Sequence, residues 1–254
     1  MIKHLVKLPI LKRLIPSLGI RIFKLFNKNK RYYKIQNFHF YLDFLDPVDR
    51  QIILYKNYEQ DSVSFLESKM QKNNFANFLD IGSNSGYYSF YFARTFKNLK
   101  IFAFEPNLDA YNKFQKTLVK NSFKNIEVFN FGLSNVNDKV KMITWFKHGI
   151  AKTNSTLLDS SHDITNSKIF ETNLKVGDEV IQIFDQKVIM KIDVEGHELN
   201  VLKGLNNTLV KNKCMILIEI GDEKFEKVNN YLVDKNFRII FKSKYRLDYI
   251  YSNL

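Results

Sequence analysis

The sequence predicts an α/β protein on a mostly parallel sheet, helices on both faces, with an N-terminal extension of helix and β-hairpin. Three observations carry this. From Ala76 onward, short apolar runs alternate with segments of helical spacing, the pattern of strands joined by crossover helices. Two of these runs, 77–80 and 100–105, end in an acid. The first enters a loop with glycines at 82 and 86, after which Tyr88, Tyr91, Phe92 and Phe96 recur at helical intervals, so strand, tight turn and helix follow one another.

Taken in order, residues 1–34 are a basic arm. Leu5, Leu8, Leu11, Leu14, Ile15, Leu18, Ile22, Leu25 and Phe26 recur at three- and four-residue intervals, an amphipathic pattern that Pro9 and Pro16 are expected to break into short helices. The arm holds ten Lys or Arg and no acid, so it accounts for most of the net charge of +13 and leaves the remainder at +3. Residues 1–30 suit peripheral contact with an anionic membrane, and equally suit packing on the domain that follows. Lys, Arg and Pro interrupt any signal-peptide core, and no run approaches the roughly 18 apolar residues of a membrane span. Cys214 is the single cysteine; within an apolar run it reads as a buried, inert thiol in a reducing, cytoplasmic compartment.

Residues 35–45 alternate like a strand of a small leading hairpin, and 46–70 read as helical, so 35–75 make a hairpin and helix ahead of a main domain at 76–254. There, helices are expected at 87–96 and 107–121 and a third strand at 125–131. Residues 134–186 hold short alternating runs around a Ser/Thr/Asn-rich stretch at 153–167 and read as a loop able to fold over a site. Strands at 188–193 and 214–220 and helices at 196–210 and 222–235 restore the alternation. Two β-rich runs, 237–241 and 247–251, close the chain as a hairpin.

Glu105 lies 23 residues after Gly82, about the offset at which a βαβ unit delivers a carboxylate to the two hydroxyls of a ribose. A carboxylate suits the task because it accepts two hydrogen bonds at once. Gly82 and Gly86 let the chain turn sharply and leave room for a ligand against the main chain. The loop is neither the Gly-x-Gly-x-x-Gly of a pyrophosphate site nor a Gly-Lys-Ser/Thr phosphate loop. A ligand with a ribose and no phosphate fits better, and S-adenosylmethionine is the common one.

Lys191-Ile192-Asp193-Val194-Glu195-Gly196-His197-Glu198 is the densest cluster of ionisable groups in an otherwise apolar context. Such charges are costly near a core unless they pair or work. The cluster sits where the fourth parallel strand ends, on the crevice expected to hold Asp80 and Glu105. Lys191 and Asp193 point the same way by the two-residue period, so Lys191 can pair with Asp193 or with Glu219. Asp193, Glu195 and Glu198 could also form a purely structural ion-pair and helix-capping network.

These motifs are residues 80–89, Phe104-Glu105-Pro106, Gly132-Leu133-Ser134-Asn135, and residues 191–198 leading into Val201-Leu202-Lys203-Gly204. With them the sequence resembles the FkbM family of S-adenosylmethionine-dependent methyltransferases over roughly residues 46–222. The resemblance implies a Rossmann-like seven-stranded methyltransferase sheet, last strand antiparallel, and methyl transfer to a hydroxyl of a sugar, glycolipid or related small molecule. It implies that Gly82, Asn84 and Gly86, with Ser83 and Tyr87 beside them, shape the pocket for the methionine end of the cofactor. Asp80 would order that loop and the ligand ammonium, Glu105 with Pro106 would hold the ribose, and Asn130 to Gly132 and Leu133 would border the adenine. Asp193 is the first candidate for base or acceptor-orienting group, followed by Glu195 and His197. Position 197 varies in the family pattern, so His197 is no obligatory catalyst; no metal ion is expected. Tyr58-Glu59 matches a position the family often fills the same way, without an assigned role. The alternatives are an RNA or protein methyltransferase, or an inactive cofactor-binding scaffold. An RNA enzyme would carry basic residues near the crevice, whereas here they sit at residues 1–34.

Overall fold

The computed structural model describes residues 11–26, 29–147 and 150–254. Helix α1 (Leu11–Phe26) precedes a hairpin of β1 (Lys30–Ile35) and β2 (Phe38–Asp43), followed by α2 (Pro47–Tyr55) and α3 (Gln60–Lys72). Then come β3 (Asn77–Ile81), α4 (Tyr87–Thr95), β4 (Lys100–Phe104), α5 (Leu108–Asn121) and β5 (Ile126–Phe129). A second group comprises β6 (Gly132–Ser134), β7 (Asp138–Lys147), β8 (Ile150–Leu157), β9 (Ser167–Val176) and the short α6 (Gly177–Val180). The chain ends with β10 (Lys187–Ile192), α7 (Glu198–Gly204), α8 (Asn206–Lys211), β11 (Lys213–Glu219), α9 (Asp222–Val233), β12 (Arg238–Lys242) and β13 (Asp248–Ser252).

Seven strands form the main sheet in the order β12-β13-β11-β10-β3-β4-β5, and β13 runs antiparallel to both neighbours while the other pairs are parallel. The connections diverge at β3 and β10, which is where a parallel sheet opens a crevice beyond its carboxyl ends. Phe78 and Ile189 join a core with Phe90 and Phe92 of α4 and Phe114 of α5, while Leu79 and Met190 face the opposite core with Val201, Leu202 and Leu209. Alternate residues thus serve opposite faces, and because both faces are covered the strands read as unbroken apolar runs. Cys214 is buried on β11, where burial pushes its thiol up to about 12.

The structure corrects several element assignments. Residues 134–186 are largely ordered as a second sheet, β6-β9-β7-β8, and not as a loop. Its outer face is polar, as in the Lys139–Glu171 ion pair of 2.6 Å, while Met142, Ile143, Thr172 and Leu174 are buried; a half-solvated sheet lacks the apolar runs that mark the main one. The helix expected over 46–70 is two helices, because Lys56 (φ 61°) and Glu59 (φ 45°) adopt left-handed backbone. Likewise 196–210 divides at Leu205 into α7 and α8. The hairpin begins at Lys30, within the basic arm, where exposed Lys30, Arg31 and Lys34 conceal the strand. Pro16 lies inside α1 without ending it: one missing N–H removes one bond, and Ile15, Ile20 and Phe23 hold the helix by packing on the core. The break expected at Pro9 lies outside the described residues.

Helix α2, one wall of the site below, is fastened to α5 by buried charge. Lys113 Nζ lies 2.8 Å from Asp46 and 2.6 Å from Asp49, and Asp46 also caps α2 by accepting the N–H groups of Val48 and Asp49. Burial, then the charge of Asp46, pushes the Asp49 carboxyl up to about 6. Lys113→Met would leave two carboxyl groups buried without their cation, so it is expected to lower the unfolding free energy by about 3–5 kcal/mol. Urea unfolding at neutral pH measures this.

Candidate active site

The carboxyl ends of β3, β4 and β10 open into a cavity of about 500 Å³, a size suited to a cofactor-sized ligand. After β3 the chain turns through Gly82 (φ 78°), Asn84 (φ 49°) and Gly86 (φ 85°). A Cβ at Gly82 would lie 1.9 Å from the Asp193 carbonyl oxygen, so the loops after β3 and β10 meet backbone to backbone. Gly82→Ala combines this clash with left-handed strain and is expected to destabilise the fold by more than about 2 kcal/mol. A thermal-unfolding comparison with wild type reads it directly.

Asp80 is 1% exposed; its Oδ2 accepts from the Ser89 N–H (3.2 Å) and hydroxyl (2.5 Å), while its Oδ1 has no hydrogen-bond partner. Burial pushes this carboxyl up, with Lys191 opposing. Ser83 Oγ and Asn84 Oδ1 are also buried without partners. Buried polar atoms are rarely left so, and three of them at the end of β3 and in the loop after it fit a ligand carrying an ammonium and a carboxylate. Asp80, Ser83 and Tyr87 border a small side cavity of about 30 Å³ and do not line the main one. Tyr87 packs edge-on against Tyr58 at 5.9 Å, as a helix aromatic does, and Gly86 serves the turn, since a Cβ there would strike Phe114 and Phe90.

Glu105 directly follows β4 and is 7% exposed. Its Oε2 accepts the Asn84 N–H at 2.7 Å and its Oε1 the Asn107 N–H at 2.8 Å. A carboxylate has about four acceptor sites, so capacity remains for two ribose hydroxyls. Burial pushes the carboxyl up to about 7 against those two N–H groups. Pro106, Gly132 and Leu133 line the cavity as expected. Asn130 does not, because its Nδ2 is used on the carbonyls of Glu105 (2.9 Å) and Pro106 (3.3 Å). The second sheet completes this wall with Met142, Ser155, Leu157 and Leu174.

On the other side stand Asp193, Val194, Glu195, His197, Glu219 and Arg246. Lys191 is buried, takes Asp193 as its partner at 2.9 Å, and borders the side cavity. Glu219 pairs with Arg246 at 2.7 Å. Arg246, from the β12–β13 turn, also reaches Glu59 (2.9 Å) and Asp248 (3.3 Å), and Glu59 accepts the Tyr88 hydroxyl at 2.8 Å. Tyr58 therefore lines the cavity and Glu59 anchors Arg246. Nothing in the local pattern marks Arg246; Tyr58-Glu59 and Glu219 are the sequence signals for this network.

Glu195 holds left-handed backbone (φ 51°) ahead of Gly196 (φ 100°). The turn is clamped by Thr156, whose hydroxyl donates to the Glu195 carbonyl at 2.9 Å, and by Lys224, which donates to the Gly196 carbonyl at 2.7 Å. Non-glycine residues are kept in this conformation where the surroundings over-determine them. The Glu195 side chain stands at the rim, open on one side; desolvation on the other, then the charges of Asp193, Glu219 and Glu198, push its carboxyl up. His197 Nε2 lies 2.9 Å from Ser134 Oγ, and burial, then the Lys224 charge, keeps the ring below its ordinary value and neutral at pH 7. Glu198 is turned inward, its Oε1 accepting the Gly196 N–H at 2.6 Å, which is a structural part.

A seven-stranded sheet with β13 reversed, a buried acid with spare acceptor capacity after β4 and an unsatisfied polar loop after β3 define the class of S-adenosylmethionine-dependent methyltransferase folds. The chain belongs to the FkbM methyltransferase family: the family model of the methyltransferase FkbM domain matches residues 80–239, more than half of its length. The cofactor of the family is S-adenosylmethionine, and Asp80, Asn84 and Glu105 fit it. The chain is 27% identical over 167 residues to the hexuronic acid methyltransferase AglP of Haloferax volcanii, with 64% of this chain and 62% of that protein aligned. It is 26% identical over 186 residues to methyltransferase 1 of Beauveria bassiana, at 63% and 72% coverage. The alignment thus spans less than two thirds of the Haloferax protein. A Staphylococcus aureus structure named for a caffeoyl-CoA O-methyltransferase superposes with a TM-score of 0.51 at 9% identity, covering 94% of this chain and 98% of that one, a likeness of fold alone.

Proposed function

We propose that this chain transfers the methyl group of S-adenosylmethionine to a hydroxyl oxygen of a sugar or a sugar-bearing small molecule. The observation that carries this is one continuous cavity with a ribose-directed carboxylate on one side and a carboxylate-rich rim, Asp193, Glu195 and Glu219, on the other. Hydroxyl groups donate to carboxylates, so a polyhydroxyl acceptor suits that rim. The same rim disfavours RNA, whose phosphates require cations. The name of the Haloferax relative, a hexuronic acid methyltransferase, supports a sugar acceptor.

Bound in the cavity, the cofactor would supply a sulfonium methyl group. Glu105 and the Gly82 loop fix its position, and alignment with the acceptor oxygen provides much of the rate. Asp193 is already paired with Lys191, which holds it in place as a fixed acceptor, so it orients the attacking hydroxyl. Glu195, with its raised carboxyl, takes the proton as the oxygen attacks. His197, neutral and braced by Ser134, binds a further hydroxyl.

The test is calorimetric titration with S-adenosylhomocysteine and NAD, followed by transfer of labelled methyl to neutral hexoses, hexuronic acids, their nucleotide- and lipid-linked forms, and an RNA pool. Binding of S-adenosylhomocysteine alone, with label in a sugar product stable to mild alkali, is expected. Label released by mild alkali would mean a methyl ester and would overturn the hydroxyl assignment.

A further inference from the structure

Helix α1 has two apolar faces, and the domain uses one of them. Ile15, Ile20 and Phe23 pack on the core; the Phe23 ring lies 4.6 Å from Phe44, and a Cβ at Gly19 would meet that same Phe44 ring. On the opposite side Leu14, Leu18, Ile22 and Leu25 are 56%, 60%, 45% and 80% exposed. Their four-, four- and three-residue spacing makes one stripe along the helix. Among the described residues nothing covers it, and none of their helices is long and apolar enough to cross a membrane.

The charge around the stripe is mostly positive, with Asp43 opposite Lys30 and Asp109 at the start of α5 as nearby acids. Arg21 and Lys24 are exposed on α1, as are Lys30, Arg31 and Lys34 on β1 and Lys116 and Lys120 on α5. Arg31 lies over the Phe23 ring and so borders α1 directly, while Lys116 and Lys120 cover the Tyr41 and Tyr32 rings on the other side of the hairpin. Residues 1–34 contain no acid. A second copy of the chain, docked by symmetry on this face, would bring like charges together. A nucleic acid would pair with the cations and leave the leucines in water. An anionic bilayer satisfies both: leucines enter the acyl boundary while Arg and Lys meet lipid phosphates.

We propose that α1, with its own Arg21 and Lys24 and the adjoining Arg31, docks this chain on an anionic phospholipid surface, the helix lying flat at the headgroup level. The inference is independent of the methyl-transfer reading. Its test is flotation of the full chain with vesicles of phosphatidylcholine alone and of phosphatidylcholine with phosphatidylglycerol, at low and high salt. The protein is expected to rise with the anionic vesicles only, and less at high salt. Arg21→Gln should weaken partition roughly fivefold, and the double variant Leu18→Asp, Leu25→Asp should abolish it, both with an unchanged melting temperature. The proposal is overturned if wild type stays down, if neutral vesicles capture it equally, or if the double variant floats like wild type. It is overturned too if that variant instead converts a dimer to a monomer in sedimentation velocity with no vesicle capture by wild type.

Discussion

Glu105→Ala is expected to lower affinity for S-adenosylhomocysteine by about a hundredfold or more. Two hydrogen bonds from ribose hydroxyls to a buried carboxylate contribute about 1.5–3 kcal/mol each. The substitution also removes the acceptor that holds the Asn84 and Asn107 N–H groups, so the loop that carries Asn84 loosens as well. The sheet does not depend on this side chain, and circular dichroism should show an intact fold. The pH dependence follows from the same group. Burial pushes the carboxyl up to about 7, so below that pH it holds a proton, whereas the ribose is best accepted by the ionised form. Ligand binding therefore releases a proton. Affinity should be full above about 7 and fall as pH drops through it, and Glu105→Gln should flatten that dependence. Calorimetry in two buffers of different ionisation enthalpy reads the released proton; none released at neutral pH would remove the ribose assignment.

Glu195→Gln is the second large effect. Loss of a general base costs about 10²- to 10⁴-fold in turnover, and the cofactor affinity should be unchanged because Glu195 lies across the cavity from Glu105. The amide keeps the size of the side chain, and the left-handed turn is held by backbone contacts from Thr156 and Lys224, so the loop should keep its shape. In wild type the rate should rise with pH as the raised carboxyl of Glu195 ionises; in the variant the rise should vanish. His197→Gln should instead raise the acceptor KM with turnover kept. Methyl transfer to the acceptor found by labelling measures all three, and a Glu195→Gln rate equal to wild type would transfer the base role to His197.

Much of the site could be read locally because each part is tied to the end of a strand. Glu105 and Asp193 close apolar runs, and in a parallel sheet such ends converge on one crevice, so one-dimensional spacing carried three-dimensional information. Asp80, Ser83, Tyr87 and Lys191 share those motifs yet stand off the main cavity, because alternation along a strand or helix names a face, not a depth. The second sheet escaped the periodicity argument for a related reason: its outer face is solvated and its strands are stitched by pairs such as Lys139–Glu171.

By itself the sequence determined the alternating α/β order, the antiparallel closing hairpin, the glycine turn and the acids at the carboxyl ends of β3 and β4. These follow from local chemistry: apolar period, backbone freedom at glycine, and the short range over which a βαβ unit folds. Only the tertiary structure decided that Lys191 pairs with Asp193 while Glu219 takes Arg246, that Glu59 reaches across to the β12–β13 turn, and that β8 clamps the Glu195 turn. It also decided that α1 buries one apolar face and leaves the other in solvent. Such pairings join residues separated by long stretches of chain, and the free energy of an ion pair depends on distance and burial, neither of which the sequence of a single segment contains.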